Sequence, residues 1–393
     1  MKVLLIHNFY KQAGGEDRVF YNEMNLLRSK GNTVLTYMRH NREIESFSVI
    51  RSALMLKEAI WSLDNLPLRN LLRNEKPDLV HFHNFFPLIS PSAYYLCQSL
   101  KIPVVQTLHN YRLLCPGAIF FDQNKICEEC LHSKIPYRGI IKACYQKSRI
   151  KTAVVAAMLT YHRYLHTWSD QIDIYIVLSE YARQKFIEGG LPGEKIAVKP
   201  NFYSPDPGIT KERERFILFA GRLSPEKGIR TLMESLRYLK SIPIRIVGSG
   251  PLLSEFKNTF SKRKSVEFYG QLSHSKLIPL MKKTLLLVFP SCWFEVLPMT
   301  IIEAFACGVP VIASRLGAMA ELVDDGRTGL LFKPGDPEDL AAKIEWAWTH
   351  PKRMREMGKE ARREYEEKYT AERNYQLLMD IYHRAIANKK AKG

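Results

Sequence analysis

Residues 289–314, FPSCWFEVLPMTIIEAFACGVPVIAS, form the stretch from which the fold of this chain can be predicted. An apolar run at 285–289 leads into it and another at 309–313 lies near its end, and both are typical of buried parallel strands. Pro298 suits the first position of a helix, and Gly308 suits the residue after its last turn. A strand, a loop, a short helix and a strand make one crossover unit, which predicts a doubly wound α/β domain.

Two carboxylates accompany that helix, because Glu295 lies in the loop before it and Glu303 lies within it. Ligands bind at the carboxyl ends of such strands, and free N–H groups at a helix start favour phosphate. Carboxylates beside these groups can accept hydrogen bonds from hydroxyls, so the loop suits a nucleotide sugar. The alternative is a solvated glutamate and a second one bonded to backbone. Against it, Glu303 interrupts the apolar sequence IIEAFA, where an unpaired charge is costly.

This stretch resembles the signature of retaining glycosyltransferases of family 4, which have the GT-B fold. The family pattern is Glu, seven residues, Glu. The matching residues are Glu295, Pro298, Glu303, Ala304, Ala306, Cys307, Gly308, Pro310 and Val311. The glycine-rich centre of the family pattern is replaced here by Glu295, Val296 and Leu297. The resemblance implies an α/β protein of two doubly wound Rossmann-like domains that face a central cleft.

Length and composition agree with a multidomain globular protein. A chain of 393 residues with 46% hydrophobic residues is long enough for two or three domains. Its formal net charge of +18 predicts an anionic partner, such as phosphate groups, acidic lipid or nucleic acid. No nucleic-acid-binding module is recognisable, so we expect no nucleic-acid partner.

The sequence predicts a cytoplasmic location. The apolar run at the N terminus, VLLI, is too short for the core of a secretory signal. No span approaches the roughly 18 apolar residues that are needed to cross a bilayer. We therefore expect a cytoplasmic protein that can be peripheral on the inner face of the plasma membrane.

A Pro- and Gly-rich segment at 201–208 predicts a domain boundary. By the resemblance, residues 1–200 form an acceptor-binding Rossmann-like domain with a Cys-rich insert at 112–150. Residues 201–370 form a second Rossmann-like domain, which binds the nucleotide sugar. The pattern at 371–393 predicts a helix, and in the family this helix crosses back to the N-terminal domain.

Two cations follow the predicted strand FILFA, residues 216–220. The sequence GRLSPEKG, which contains Arg222 and Lys227, matches a family motif whose Arg and Lys hold the donor diphosphate. Cations at this place would stabilise the charge that develops on the leaving group. The resemblance therefore implies catalysis without a metal ion or other cofactor, with Arg222 and Lys227 both binding and catalytic.

The resemblance assigns further donor contacts in the second domain. Glu303 would bind the ribose hydroxyls, and Glu295 the sugar hydroxyls, so Glu295 counts as both catalytic and donor-binding. Val296 and Leu297 adjoin Glu295 and would contact the donor through this loop. Gly270 lies in the predicted strand VEFYGQL, residues 266–272, whose end resembles the nucleobase-binding edge of the family.

His109 ends the predicted strand VVQTLH in the first domain, where it would face the ligand crevice. On its own a loop His bonded to backbone is the simpler interpretation. The family has a catalytic His here that reaches the donor sugar and supports an oxocarbenium-like state. Gly14 and Gly15 match the family's glycine loop and are assigned to donor binding. We expect the acceptor to contact residues close to these positions, namely Glu16 and Tyr111.

The insert carries a cluster of cysteines within about thirty residues. Its members are Cys115, Cys127, Cys130 and Cys144. In a reducing cytosol such thiols favour a metal over disulfides. We predict a structural zinc ion, and the alternatives are an iron–sulfur cluster or unliganded thiols, with His132 able to replace one ligand. A metal ion bound by four thiolates has no open coordination position for chemistry, so its role would be to fix the loop beside His109.

The segment 140–168 is basic and aromatic, and residues 101–165 contain ten Lys/Arg against three Asp/Glu. This pattern is typical of a helix on an anionic membrane surface. It is equally typical of a helix with one core face and one solvated basic face, and both interpretations stay open. Transferases of this fold that act on lipid-linked acceptors resemble the first.

The resemblance implies a retaining glycosyltransferase, in particular a hexosyltransferase. It would move a sugar from a nucleotide-diphosphate sugar to a hydroxyl of a glycan or lipid-linked acceptor, in cell-surface polysaccharide or glycolipid synthesis. Retention would follow from front-face attack by the acceptor hydroxyl. The alternatives are another GT-B enzyme, such as a sugar-nucleotide epimerase or a phosphorylase, and a non-catalytic nucleotide-binding protein.

Overall fold

The computed structural model describes residues 1–11, 14–46, 56–62, 65–210, 212–239 and 241–392. The chain divides into two compact units. The first unit comprises Met1–Phe120, Cys127–Pro200 and Asn374–Gly393, and the second comprises Phe121–Ile126 and Asn201–Arg373. In the described part of the chain, no helix is both long enough and apolar enough to cross a membrane.

The strands are β1 (Lys2–Phe9), β2 (Thr33–His40), β3 (Leu79–Asn84), β4 (Val104–Thr107), β5 (Phe121–Asp122), β6 (Lys125–Ile126), β7 (Ile174–Val177), β8 (Ile196–Val198), β9 (Ile217–Ala220), β10 (Ile244–Val247), β11 (Val266–Gly270), β12 (Leu286–Phe289), β13 (Val311–Ser314) and β14 (Gly329–Phe332). Strands β5 and β6 form a small antiparallel hairpin inside the Cys-rich insert. Every other strand belongs to one of two six-stranded parallel sheets.

The α-helices are α1 (Gly15–Ser29), α2 (Leu66–Glu75), α3 (Ser92–Ser99), α4 (Tyr137–Ile141), α5 (Arg149–Tyr164), α6 (Thr167–Asp170), α7 (Glu180–Glu188), α8 (Ile229–Ser235), α9 (Leu253–Phe260), α10 (His274–Lys283), α11 (Met299–Ala306), α12 (Ala318–Leu322), α13 (Pro337–Thr349), α14 (Pro351–Lys368) and α15 (Ala371–Lys392). Short 3-10 helices cover Asn41–Ser46, Gly193–Lys195 and Pro225–Lys227. Side chains cap several α-helices, as Ser148 Oγ does by accepting from Lys151 N at the start of α5.

The sheet of the first unit has the strand order β2-β1-β3-β4-β7-β8. Strands β3 and β4 are buried along their whole length, and β1 is buried after its first residue, as expected for strands covered on both faces. Helix α15 contributes Leu378 and Tyr382 to the same hydrophobic core as Val3 and Leu79. The strand order reverses between β1 and β3, so a ligand crevice is expected where these two strands end.

The sheet of the second unit has the strand order β11-β10-β9-β12-β13-β14. Taken in chain order within the unit, this is the 3-2-1-4-5-6 arrangement of a Rossmann sheet, which reverses between β9 and β12. Gly228 follows β9 with a φ of +68°, and a Cβ on it would lie 1.7 Å from the carbonyl oxygen of Pro290. Only glycine fits so close to backbone. This contact brings the loop after β9 directly against the loop after β12.

The two doubly wound parallel sheets predicted from the sequence are confirmed. In the 289–314 stretch, Glu295 lies in the loop after β12 and Glu303 lies within α11, as predicted. One detail differs, because α11 begins at Met299 and Pro298 is its extended N-cap residue. The β5–β6 hairpin was not predicted, since its strands are two residues long and carry no periodicity.

Candidate functional site

In the second unit, three donors converge on one oxygen of Glu295, at the point where the strand order reverses. Glu295 Oε1 accepts from Lys227 Nζ at 2.5 Å, Trp293 Nε1 at 2.8 Å and Ser291 Oγ at 2.9 Å. The Lys227 ammonium also lies 5.1 Å from the centroid of the Trp293 ring. Glu295 is buried, so the lysine compensates a charge that would otherwise be costly.

The second predicted carboxylate, Glu303, is buried on α11. Its Oε1 lies 3.9 Å from Nδ1 of His274, the first residue of α10. His274 is held from its other side, because its Nε2 lies 2.8 Å from the hydroxyl of Tyr203. A buried carboxylate on a short helix is a strong hydrogen-bond acceptor for hydroxyl groups.

The remaining predicted residues of this unit lie at the carboxyl ends of their strands. Arg222 is exposed just after β9, and Gly270 ends the edge strand β11 with a φ of +65° and open space around it. Val296 and Leu297 are buried. Among the described residues, no hydrogen bond or ion pair links Arg222 to Lys227.

In the first unit, Glu16 lies in the first turn of α1, beside the ends of β3 and β4. Asn84 Nδ2 donates to Glu16 Oε1 at 3.1 Å, and Asn110 Nδ2 donates to Glu16 Oε2 at 3.4 Å. Burial and the neighbouring charge of Asp17 raise the pKa of Glu16 to about 8. The carboxyl is therefore mostly protonated at neutral pH and can both donate to and accept from a hydroxyl.

His109 follows β4 and is bound to a second histidine. Its Nε2 lies 3.0 Å from His83 Nδ1, and the two rings stack with centroids 5.2 Å apart. Burial lowers the pKa of His83 to about 3, and burial together with the nearby His83 lowers the pKa of His109 well below its usual value. Both imidazoles are therefore neutral at physiological pH.

Tyr111, a predicted acceptor contact, lies in the core of the first unit. Its side chain is fully buried, with ring centroids 5.1 Å from Phe120 and 5.5 Å from Phe186. The ring therefore has no exposed surface in this arrangement, and its contact with an acceptor stays a prediction. Gly14 and Gly15, by contrast, have open space around them, and Gly14 is the N-cap residue of α1.

The four cysteines are neighbours within the insert. Burial raises the pKa of Cys130, and the thiols of Cys115 and Cys127 lie close enough to raise it further. A Cβ on Gly117 would lie 3.7 Å from Cys115 Sγ and 3.4 Å from Cys144 Cβ. Within the described ranges, two groups of three ligand-type atoms lie within 4.8 Å of one another, and neither contains a cysteine. The thiols are thus gathered without a preformed tetrahedral arrangement.

His132 is not positioned as a fifth candidate ligand. It is largely exposed, and its Nε2 lies 3.4 Å from Glu188 Oε1 on α7. The interpretation in which it replaces a cysteine therefore has no support from the geometry.

Sequence reasoning missed several residues that contact the predicted ones. Trp293 and Ser291 bind Glu295, and Asn84 binds Glu16. The sequence contains little indication of these residues, because polar residues are common in loops. The indication was stronger for His83, because a His in the buried strand sequence LVHFH needs a polar partner.

Two family sequence models match consecutive parts of the chain. The model described as Glycosyltransferase Family 4 matches residues 13–206, and the model described as Glycosyl transferases group 1 matches residues 205–364. An uncharacterised glycosyltransferase of Methanocaldococcus jannaschii is 26% identical over 97% of this chain and 98% of its own length.

Solved structures share the architecture. HepE of Anabaena, in complex with UDP, has a TM-score of 0.71 at 18% identity and covers 97% of this chain and 99% of its own. Sucrose-phosphate synthase of Thermosynechococcus elongatus has a TM-score of 0.72 at 18% identity and covers 98% of this chain and 99% of its own. At these identities the likeness concerns the fold alone.

The raised pKa of Glu16 predicts a pH-dependent effect of Glu16→Gln on stability. Because this pKa is about 8 in the folded protein and near 4.5 in the unfolded chain, the native state binds the extra proton between these values. Glu16 therefore destabilises the fold increasingly as the pH rises from 4.5 through 8. Gln cannot ionise. We therefore expect the melting temperature of Glu16→Gln, relative to that of the native protein, to increase as the pH rises from 5 to 9.

Thermal melts of both proteins across this pH range make the measurement. Glu75→Gln is the matched control, because it removes a half-exposed carboxylate of the same unit. A melting difference for Glu16→Gln that does not change with pH, or that turns against the variant above pH 8, would contradict the assignment.

Proposed function

Because the chain is a glycosyltransferase with the GT-B fold, similar to family 4, we propose that it is a retaining hexosyltransferase that uses a nucleotide-diphosphate sugar. The observation that carries this proposal is the Lys227–Glu295 pair. It puts a cation and a buried carboxylate where a Rossmann sheet binds nucleotides. HepE binds UDP and UDP-glucose, which makes uridine-diphosphate sugars the first donors to test.

Lys227 and Arg222 are proposed to bind the donor diphosphate. The leaving nucleoside diphosphate gains negative charge as the glycosidic bond breaks, and preorganised cations stabilise it in the transition state. Lys227 is preorganised by Glu295 and by the face of Trp293. These two side chains supply the positive charge that the departing group requires, so the proposed chemistry is independent of a metal.

Glu295 and Glu303 are proposed to bind hydroxyl groups. Glu295 Oε1 is saturated by three donors, which leaves its second oxygen to orient a sugar hydroxyl. Glu303 would accept from the ribose hydroxyls, and its Oε1 lies 3.9 Å from His274 Nδ1. His109 is proposed to orient the sugar, and its low pKa keeps it a neutral hydrogen-bonding group instead of a second cation.

The acceptor is proposed to bind in the first unit, next to Glu16. A cavity of about 360 Å³ lies at the carboxyl ends of β1 and β2. Its lining includes aromatic and basic side chains, among them Phe9, Tyr10, Tyr21, Arg39 and His40. Aromatic rings stack on sugar faces, so this lining suits a glycan or a lipid-linked glycan. The acceptor hydroxyl would attack the front face of the donor sugar, which retains its configuration.

Donor turnover tests the function. We expect the native protein to release UDP from a UDP-sugar only when an acceptor is present, which also separates transfer from epimerase or phosphorylase activity. Lys227→Ala should lower kcat by roughly 100-fold, like the loss of an oxyanion donor. Lys333→Ala is the control, because Lys333 is an exposed cation of the same unit. Unchanged turnover in a well-folded Lys227→Ala protein would contradict the diphosphate role.

Calorimetry with UDP alone separates the two glutamates. Glu303→Gln should weaken UDP binding, whereas Glu295→Gln should mainly alter the choice of sugar. Because Glu295 also holds Lys227, some loss of UDP affinity is expected in that variant too. Full UDP affinity in Glu303→Gln would exclude the ribose role.

The first unit is also proposed to contact an anionic membrane through residues 140–168, which contain five Lys/Arg and no Asp/Glu. This basic segment exposes large apolar side chains, of which Ile141, Ile150 and Tyr164 are 62%, 71% and 81% exposed. Basic charge beside exposed apolar groups suits a surface of acidic lipid, worth about 1 kcal/mol per cation. A lipid-linked acceptor could then be reached from the bilayer surface.

Vesicle sedimentation tests the membrane contact. We expect the protein to pellet with phosphatidylserine-containing vesicles, less so at high salt, and not with phosphatidylcholine alone. The double variant Ile150→Ser/Tyr164→Ser should bind less. Tyr238→Ser is the control, because Tyr238 is exposed on the second unit. Equal pelleting with both vesicle types would exclude a charge-driven surface.

The cysteines are proposed to hold one structural zinc ion. Cys115, Cys127, Cys130 and Cys144 offer four soft ligands, and their proximity in one insert fits a closed site. The ion would neutralise thiolates and fix a loop that buries little core of its own. It would have no direct part in sugar transfer.

Elemental analysis of untagged protein tests the metal proposal, with about one zinc per chain expected. Cys127→Ser should lose the metal and lower the melting temperature, because one ligand is removed. UDP affinity should hardly change, since the proposed nucleotide site lies in the second unit. Cys97→Ser is the control, as Cys97 is buried on α3 outside the insert. A metal-free protein with full activity would end the proposal.

A further inference from the structure

We propose that Glu23 and His83 act as positioning residues that set the tautomer of His109, so that His109 Nδ1 accepts a hydrogen bond from a substrate hydroxyl. This inference rests on the proposed function for the role of His109. It adds two residues of the first unit that do not reach the substrate. The proposal is based on a series of buried polar contacts that runs from Lys199 to His109. In each contact only one of the two groups can donate the hydrogen bond.

The series starts at an ion pair. Lys199 Nζ lies 2.9 Å from Glu23 Oε2, and the side chains are only 2% and 1% exposed. Lys199 also donates to Asn374 Oδ1 at 3.1 Å. Burial alone would raise the pKa of Glu23, but the Lys199 ammonium and two histidines hold it well below its usual value. Glu23 is therefore a carboxylate, which can only accept hydrogen bonds.

The same carboxylate could suggest a metal site, because Glu23, His81 and His83 offer ligand atoms within 4.8 Å of one another. The ammonium of Lys199 already supplies the positive charge that the carboxylate needs. His81 is also committed, since its Nδ1 lies 2.8 Å from the Tyr382 hydroxyl and its Nε2 lies 2.7 Å from Thr107 Oγ1. These contacts favour a hydrogen-bonded network over a bound ion.

The Glu23 carboxylate determines which ring nitrogen of His83 carries the proton. Glu23 Oε1 lies 3.2 Å from His83 Nε2 and 3.1 Å from His81 Nδ1. Among the described residues, neither Glu23 Oε1 nor His83 Nε2 makes a hydrogen bond of regular geometry. Buried polar atoms require partners, so the N–H of His83 belongs on Nε2, with a bent approach to Oε1. Because His83 is neutral, its Nδ1 then carries a lone pair.

The lone pair on His83 Nδ1 determines which ring nitrogen of His109 carries the proton. His83 Nδ1 lies 3.0 Å from His109 Nε2, so His109 must donate from Nε2. His109 is neutral as well, which leaves its Nδ1 without a proton. In the described part of the chain, no group hydrogen-bonds to this Nδ1. The nitrogen is thus an acceptor for a hydroxyl, and the opposite tautomer would present an N–H in its place.

Glu23→Gln tests this series of contacts, because the substitution should reverse the direction of hydrogen-bond donation between residue 23 and His109. The ammonium of Lys199 can only donate, so the new amide should turn its oxygen toward Lys199 and its NH₂ toward His83 Nε2. His83 would then carry its proton on Nδ1 and donate to His109 Nε2. His109 would in turn carry its proton on Nδ1. Lys199 still donates to residue 23, whereas the bonds from residue 23 to His83 and from His83 to His109 reverse their direction, and the side-chain shapes stay nearly the same.

The readout is the ring ¹⁵N spectrum of ligand-free protein labelled at histidine, with the His109 signals assigned by His109→Asn. We expect Nε2–H and a bare Nδ1 in the native protein, and Nδ1–H in Glu23→Gln. Glu75→Gln, which removes a surface carboxylate of the same unit, should leave the His109 signals unchanged. A native His109 protonated on Nδ1, or no change in Glu23→Gln, would overturn the proposal.

His83→Asn is the second variant, in case loss of the buried charge prevents Glu23→Gln from folding. It keeps the Lys199–Glu23 pair, and the Asn amide can either donate to or accept from His109 Nε2. We expect His109 to populate both tautomers in this protein. A pure Nε2–H tautomer there would show that His83 does not select it.

Transfer assays add the functional readout. With the tautomer altered, we expect kcat/KM to fall about tenfold, the worth of one neutral hydrogen bond, in Glu23→Gln and in His83→Asn. Full activity in a variant with a reversed His109 tautomer would overturn the positioning role. The two proposals fail separately, because native tautomers as expected without any sugar transfer would leave the hydrogen-bond series intact and contradict the proposed function.

Discussion

A buried glutamate paired with a lysine lies at the centre of each unit's candidate site. Glu23 is held by Lys199 at 2.9 Å in the first unit, and Glu295 is held by Lys227 at 2.5 Å in the second. A buried carboxylate without a partner would be strongly destabilising. Each pair therefore constrains the elements that carry it, which in the second unit are the loops after β9 and β12. The close contact of Gly228 with Pro290 keeps those two loops together.

The two pairs would serve different purposes. Glu295 is proposed to keep Lys227 at the diphosphate while offering an oxygen to the sugar. Glu23 lies deeper and acts through its charge, because an acceptor-only group gives direction to the histidines beyond it. Both arrangements rely on burial, since a solvated carboxylate would exchange its partners with water and specify nothing. Stability and chemistry therefore depend on the same contacts.

Much of the fold could be predicted from local sequence. Buried parallel strands appear as continuous apolar runs, which is why β9 and β12 were placed within one residue of their observed bounds. The positions of Glu295 and Glu303 followed from the helix between two such runs. The burial of Tyr111 could not be predicted in this way, since a polar-tipped aromatic residue suits a binding loop and a core equally well.

The sequence by itself determined the class of fold, the two sheets and the loop that carries the paired carboxylates, because hydrophobic periodicity and helix boundary residues are local signals. Only the tertiary structure decided which lysine pairs with which glutamate. Lys199 and Glu23 are 176 residues apart, and Lys227 and Glu295 are 68 apart. Such pairs are made by the parallel crossovers, which bring strand ends and helices together without regard to their separation in the chain. A pairing of this kind leaves no periodic trace in the sequence that would identify its members.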